Sequence, residues 1–182
     1  MADRVTETKL DEAPEIPEVL ERVLVYCLDE ARRTLEAGHD VIPFTALAVT
    51  DKLFMECHAS DTVEGCYAKA QHEVERARGA SAYGFCYDGY IELDDRTVDA
   101  LIAEGGIPGD PVGYAIGHVY RIEADGSYTF EDVPTFVGDA PNFMEHTNDL
   151  DEEEEAQAAD EAAVAAEAVE AADAAEAAAP AE

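Results

Sequence analysis

Tryptophan is absent from the 182 residues, lysine occurs only as Lys9, Lys52 and Lys69, and all Lys and Arg together number 11 against 43 Asp and Glu. So few cations under a net charge of −32 exclude the usual electrostatics of direct nucleic-acid binding, in which Lys and Arg release counterions from the polyanion. An anionic membrane surface is disfavoured for the same reason. No apolar run approaches the ~20 residues of a membrane-spanning helix. The opening Met1-Ala2-Asp3-Arg4 leads into a polar run without the apolar core of a secretory signal, so the expected location is cytoplasmic. Cysteine is sparse too: Cys27, Cys57, Cys66 and Cys86 show no close pairing, which fits free thiols in a reducing compartment.

The charge is unevenly placed. Thirteen acids and no base fall between Asp149 and Glu182, so the first 148 residues keep thirty acids against eleven bases. The body is therefore acidic in its own right. This favours solubility or tolerance of high salt, and among partners it favours a basic protein or a second copy of the chain. It also admits mimicry of a nucleic acid's charge, in which the acids would occupy a basic protein.

Composition divides the chain into three parts. Residues 1–16 form a polar, acidic arm expected to be flexible, and residues 147–182 form an Ala/Glu-rich acidic tail expected to be disordered or transiently helical. Between them, residues 17–146 have the size and apolar content of a single α+β domain.

Within that domain Leu20, Leu24, Cys27, Leu28, Ala31 and Leu35 recur at three- and four-residue steps, giving an amphipathic helix begun by Pro17 and ended by Gly38. Val41–Val49 and Leu53–His58, separated by Thr50-Asp51-Lys52, predict a hairpin. A second helix follows to Gly79 along Val63, Tyr67, Ala70, Val74 and Ala77, with Ser60 and Asp61 as caps and Glu64 spaced from Asp61 as in a capping box. From Ala80 to Phe130 the pattern turns to strands, with Asp88-Gly89 and Asp125-Gly126 as hairpin turns. Gly105–Pro111 reads as a loop of turn formers, and 131–144 as irregular chain packed on the domain. The expected fold is α+β, in helix-hairpin-helix-multistrand order, with both amphipathic helices packed on one face of an antiparallel β-sheet.

No motif assembles catalysis. The Gly105–Gly109 stretch lacks the Lys-Ser/Thr ending of a phosphate loop and precedes no helix. Cys57, His58, Cys66 and His72 are zinc-type donors gathered in one region, yet their spacing matches no zinc motif, so neither metal nor cofactor is expected. His118 lies mid-strand beside tyrosines and could serve as a general acid or base, but no nucleophile is placed for it by any motif. The binding candidates are Tyr83, Tyr87, Tyr90, Tyr114, His118 and Tyr120, because phenols with a polar tip suit a surface covered by a partner. As cross-strand pairs they would instead stabilise the sheet. The functional expectation is a non-catalytic protein-interaction or accessory domain able to self-associate. The alternatives are a small-molecule binder or enzyme with a pocket near His118, and an acidic nucleic-acid mimic.

Overall fold

A computed structural model describes residues 14–93 and 96–147; the acidic tail and most of the N-terminal arm lie outside the described residues. Helix α1 (Glu18–Glu36) leads to strands β1 (Phe44–Val49) and β2 (Lys52–Cys57), helix α2 (Val63–Glu75), and strands β3 (Ala80–Leu93), β4 (Arg96–Gly106), β5 (Gly113–Ile122), β6 (Tyr128–Phe130) and β7 (Thr135–Ala140). The chain is thus α+β, and its strands form one antiparallel sheet in the order β2-β1-β3-β4-β5-β6, with β7 also pairing β5.

Helix α1 follows its pattern closely. Pro17 precedes the first turn, Leu20, Val23, Leu24, Cys27, Leu28, Ala31 and Leu35 are buried, and Gly38 takes φ +79° where the chain leaves the helix. These residues share a core with Ala46, Ala48, Ala82, Cys86, Leu101 and Ala103. Small residues dominate the sheet side of this layer because the helix sits close. Gly84 and Gly105 face each other across β3 and β4. A Cβ on Gly84 would lie 2.9 Å from the Cys27 sulfur, and one on Gly105 would lie 3.0 Å from both Leu20 and Leu24. The glycine pair is a saddle for the middle of α1.

The helices do not share a face. Tyr83 and Phe85, which alternate with Ala82, Gly84 and Cys86, join Ala70 and Val74 of α2, with Phe143 and Met144, in a second core. Successive side chains of a strand point to opposite sides, so α1 and α2 cover opposite faces of the sheet. The physical reason is that β3 carries an apolar residue at almost every position, and a strand of that kind has both faces to bury. Further along the α2 side, Ile91, Ala100, Ile102 and Val119 form a third cluster with Val137.

Three local expectations are corrected as well. Asp88-Gly89 is not a turn: β3 runs through it, with Asp88 opposite Leu101 and Gly89 opposite Ala100, and the reversal falls between Leu93 and Arg96. The cap of α2 is Thr62, whose Oγ1 accepts the Gly65 N–H at 3.1 Å, instead of Ser60 or Asp61. The segment read as irregular contains β7, which pairs β5 from Gly113 to Gly117 with a bulge at Ala115/Ile116. By contrast Asp125-Gly126 does turn, with Gly126 at φ +85° and Glu123 N–H donating to Ser127 O.

The end of the domain is pinned from within. The Tyr83 hydroxyl donates to Pro141 O at 3.1 Å and accepts the Phe143 N–H at 3.0 Å. Asn142 Nδ2 donates to Ile107 O and Asp110 O, and its Oδ1 accepts the Met144 N–H, so one side chain holds the β4–β5 loop against residues 141–147.

Candidate functional site

The six side chains named as binding candidates are divided between two layers. Tyr83 and Tyr87 lie on the α2 face, whereas the pairings of β3, β4 and β5 put Tyr90, Tyr114, His118 and Tyr120 on the α1 face. Only Tyr90 is well exposed, at 66%. Tyr83 is fully buried and Tyr120 nearly so. The phenols find partners inside the domain: Tyr87 donates to Glu104 Oε1, and Tyr120 donates to Asp88 Oδ1 at 2.8 Å. They do not gather into one recognition patch.

His118 is buried under β6. Its Nε2 lies 2.8 Å from the Glu131 carbonyl, and its ring is 5.1 Å from that of Phe130, over which Arg32 of α1 is placed. His118 lines neither of the two main clefts. Gly113 marks close backbone approach, since a Cβ there would lie 2.5 Å from Gly105 O, whereas one on Gly117 would lie 3.1 Å from the Val137 side chain.

Cys57, His58 and His72 line an open groove between the end of β2 and α2, together with Glu56, Lys69 and Glu73. Cys66 is turned away from it, into the other cleft. His58 is buried with Nε2 2.9 Å from Thr45 Oγ1, and burial lowers its pKa against the opposing pull of Glu56 and Glu73. Among the described residues no group of three or more His, Cys, Asp or Glu is placed to hold a metal ion. All four thiols are free, and Cys57 alone is exposed.

The second cleft, of about 310 Å³, opens just before the start of β1, where the rim of β3 beyond Cys86 is left uncovered beside the first turn of α2. Its walls are Cys66 and Tyr67 from α2, Phe85 and Tyr87 from β3, and Pro43. The rings of Tyr67 and Phe85 meet edge to face at 5.8 Å, and those of Phe85 and Tyr87 at 5.4 Å with a 42° tilt. Among the described residues its charged lining residues are Asp61 and Asp88, and the Asp88 carboxylate is turned to the α1 face, where it accepts from Tyr120. Desolvation raises the Asp88 pKa, an effect its hydrogen bond from Tyr120 partly offsets. In sequence Tyr67 falls on a helix stripe and Phe85 on a strand, and the adjacency of α2 and β3 that brings them together is a tertiary fact that neither segment's periodicity carries.

No protein-family model, no curated protein and no solved structure matches this chain. Its function therefore rests on its own geometry. No helix among the described residues is long and apolar enough to cross a membrane.

The buried acids set an alkaline limit on the fold. Desolvation pushes the Cys27 thiol up to about 12 and the Cys86 thiol well above its ordinary value; burial also raises Tyr83, Tyr87 and Tyr120. A group whose pKa is higher folded than unfolded holds its proton more tightly in the native state. Its stabilisation is complete below the unfolded value and is lost as pH climbs toward the folded one. The urea midpoint is therefore expected to fall from about pH 9 upward. A midpoint unchanged at about pH 11 would contradict the burial of these groups. His58 acts at the other end: its lowered pKa gives stability present above 6.5 and lost as pH falls through the folded value.

Proposed function

We propose that this chain is a non-catalytic interaction domain that self-associates through the outer edge of β2. The observation that carries the reading is the chemistry of that edge. His58 N–H donates to Pro43 O at 2.7 Å, so the even-numbered residues of β2 turn their backbone groups toward β1, and Leu53, Met55 and Cys57 turn theirs outward. Among the described residues no strand pairs with that side. Natural edges are usually blunted by Pro, bulges or several charges. This one carries Phe54 at 52% exposure and Met55 at 45%, with a regular register throughout.

A second copy related by a two-fold axis normal to the sheet fits this edge in a definite register. Leu53 and Met55 of opposite copies exchange backbone hydrogen bonds, and Phe54 faces Phe54 of the second copy. Lys52 then stands opposite Glu56 of the second copy, twice, in the pairs where side chains approach most closely. All three of these side chains lie on the α2 face, as their partners Val49, Leu47 and Thr45 in β1 require. The opposite end of the sheet is a poorer template, being split between the short β6 and the bulged pairing of β7.

The test is sedimentation at physiological salt, where the Debye length of about 8 Å screens the repulsion between two acidic bodies. The expected species is a dimer at about 100 µM. Lys52→Glu should be monomeric, and the double exchange Lys52→Glu with Glu56→Lys should restore the dimer. A monomer at that concentration, or a Lys52→Glu variant that still dimerises, overturns the proposal.

A further inference from the structure

We infer that the cleft between α2 and the rim of β3 is a binding site for a small organic cation, an ammonium group carried on an apolar or aromatic body. The site is separate from the β2 edge and independent of self-association.

Three features of the cleft converge on that ligand class. The first is size and shape: about 310 Å³ lies at the lower end of the range for small-molecule sites. The second is the wall. Tyr67, Phe85 and Tyr87 present three rings in sequence, the first pair nearly perpendicular at 84° and the second at 42°. Rings set at such angles around one space offer their negative faces and edges from several directions, which is how proteins hold ammonium ions without burying a countercharge against them. The third is electrostatic. Among the described residues that line the cleft, Asp61 stands at the mouth and no Lys, Arg or His borders the space; Asp88 also lines it, but turns its carboxylate to Tyr120 on the other side of the sheet.

Behind the wall the same bias is reinforced. Tyr87 donates its hydroxyl proton to Glu104, and a phenol bonded to a carboxylate has a more electron-rich ring, which strengthens its attraction for a cation. The Glu104 charge also reaches the phenol of Tyr67, whose pKa is raised first by desolvation and then by that carboxylate. An anionic ligand would meet Asp61 at the mouth and Glu104 beyond the rings. A neutral apolar ligand would gain burial but nothing from the acids. The cation is the class for which wall and mouth act together.

The experiment is a titration of the full chain with phenyltrimethylammonium, followed by amide shifts in ¹H–¹⁵N spectra, with benzyl alcohol and benzoate as neutral and anionic controls. The expected result is saturable binding with a Kd below about 1 mM, shifts centred on Thr62, Tyr67 and Tyr87, weaker binding of benzyl alcohol and none of benzoate. Tyr67→Leu should weaken the cation about tenfold while Tyr67→Phe, which keeps the ring, should retain it. Asp61→Asn is a surface change at an exposed position that leaves the core untouched, and it should weaken the cation without affecting benzyl alcohol. The monomeric Lys52→Glu variant should bind as the parent does, so failure of the dimer and failure of this site are read separately. Failure to saturate by about 10 mM, equal binding of benzyl alcohol, or shifts scattered over the acidic surface would each overturn the inference.

Discussion

Replacing Gly105 by valine is expected to abolish cooperative folding, or to lower the urea-derived stability by at least about 3 kcal/mol. A Cβ at this position would stand 2.1 Å from the Tyr83 carbonyl oxygen and 3.0 Å from both Leu20 and Leu24. The first contact is with backbone and cannot be relieved by a rotamer change. The other two are with fully buried side chains of α1, so the helix would have to lift from the sheet and expose the layer it shares with Ala82, Cys86 and Leu101. Tyr90→Ala is the matched control, since Tyr90 is 66% exposed and its loss should change stability by no more than about 0.5 kcal/mol. A Gly105→Val protein as stable as its parent would show that α1 does not rest on the glycine saddle.

Phe143→Ala is expected to cost about 3–5 kcal/mol, the range for deleting a buried aromatic ring. Its ring stacks on Tyr83 with centroids 5.1 Å apart and meets Tyr67 edge to face at 5.0 Å, so one truncation removes contacts to both β3 and α2. The same residue's N–H is held by the Tyr83 hydroxyl. Tyr83→Phe, which keeps the stack and removes only that hydroxyl, should therefore cost less, about 1–3 kcal/mol, by leaving the buried Phe143 N–H and the part-buried Pro141 carbonyl short of a partner. Urea unfolding of the two variants measures the difference. Faster amide exchange across 141–147 in both would locate it. If Phe143→Ala lost under about 1 kcal/mol, the terminal segment would not be part of the core.

The sequence was most legible where one element answers to one surface. In α1 the apolar residues recur at three and four, and most of the intervening charges are exposed, so a single stripe dictated a single contact. The Asp125-Gly126 turn was legible because its glycine needs the positive φ it adopts. Asp88-Gly89 has the same letters, yet Gly89 has no such backbone conformation and the ladder to β4 continues past it. A turn signal is local, and a long partner strand overrode it. The placement of the helices was also present in β3, in the run Ala82-Tyr83-Gly84-Phe85-Cys86-Tyr87. Read as two interleaved series, one small and one aromatic, it specifies a close-set layer on one side and a bulky one on the other.

The candidate site was much less legible. Tyrosine count alone does not distinguish a phenol that waits for a partner from one whose hydroxyl is already committed, as those of Tyr83, Tyr87 and Tyr120 are. The cleft depends on where β1 starts, since Phe44 pairs Cys86 and leaves the β1 side of Tyr87 without a strand partner. No spacing in a single segment encodes that.

The alternation in β3 also guards the pairing of the whole sheet. Were this strand to slide by one residue against its neighbours, Tyr83 and Phe85 would be driven into the glycine seat beneath Leu20 and Leu24, while Ala82 and Gly84 would face α2 and leave it unsupported. A misaligned pairing is thereby penalised twice, by collision on one side and by vacancy on the other. The strand works as a key cut on both edges, and only one alignment turns it.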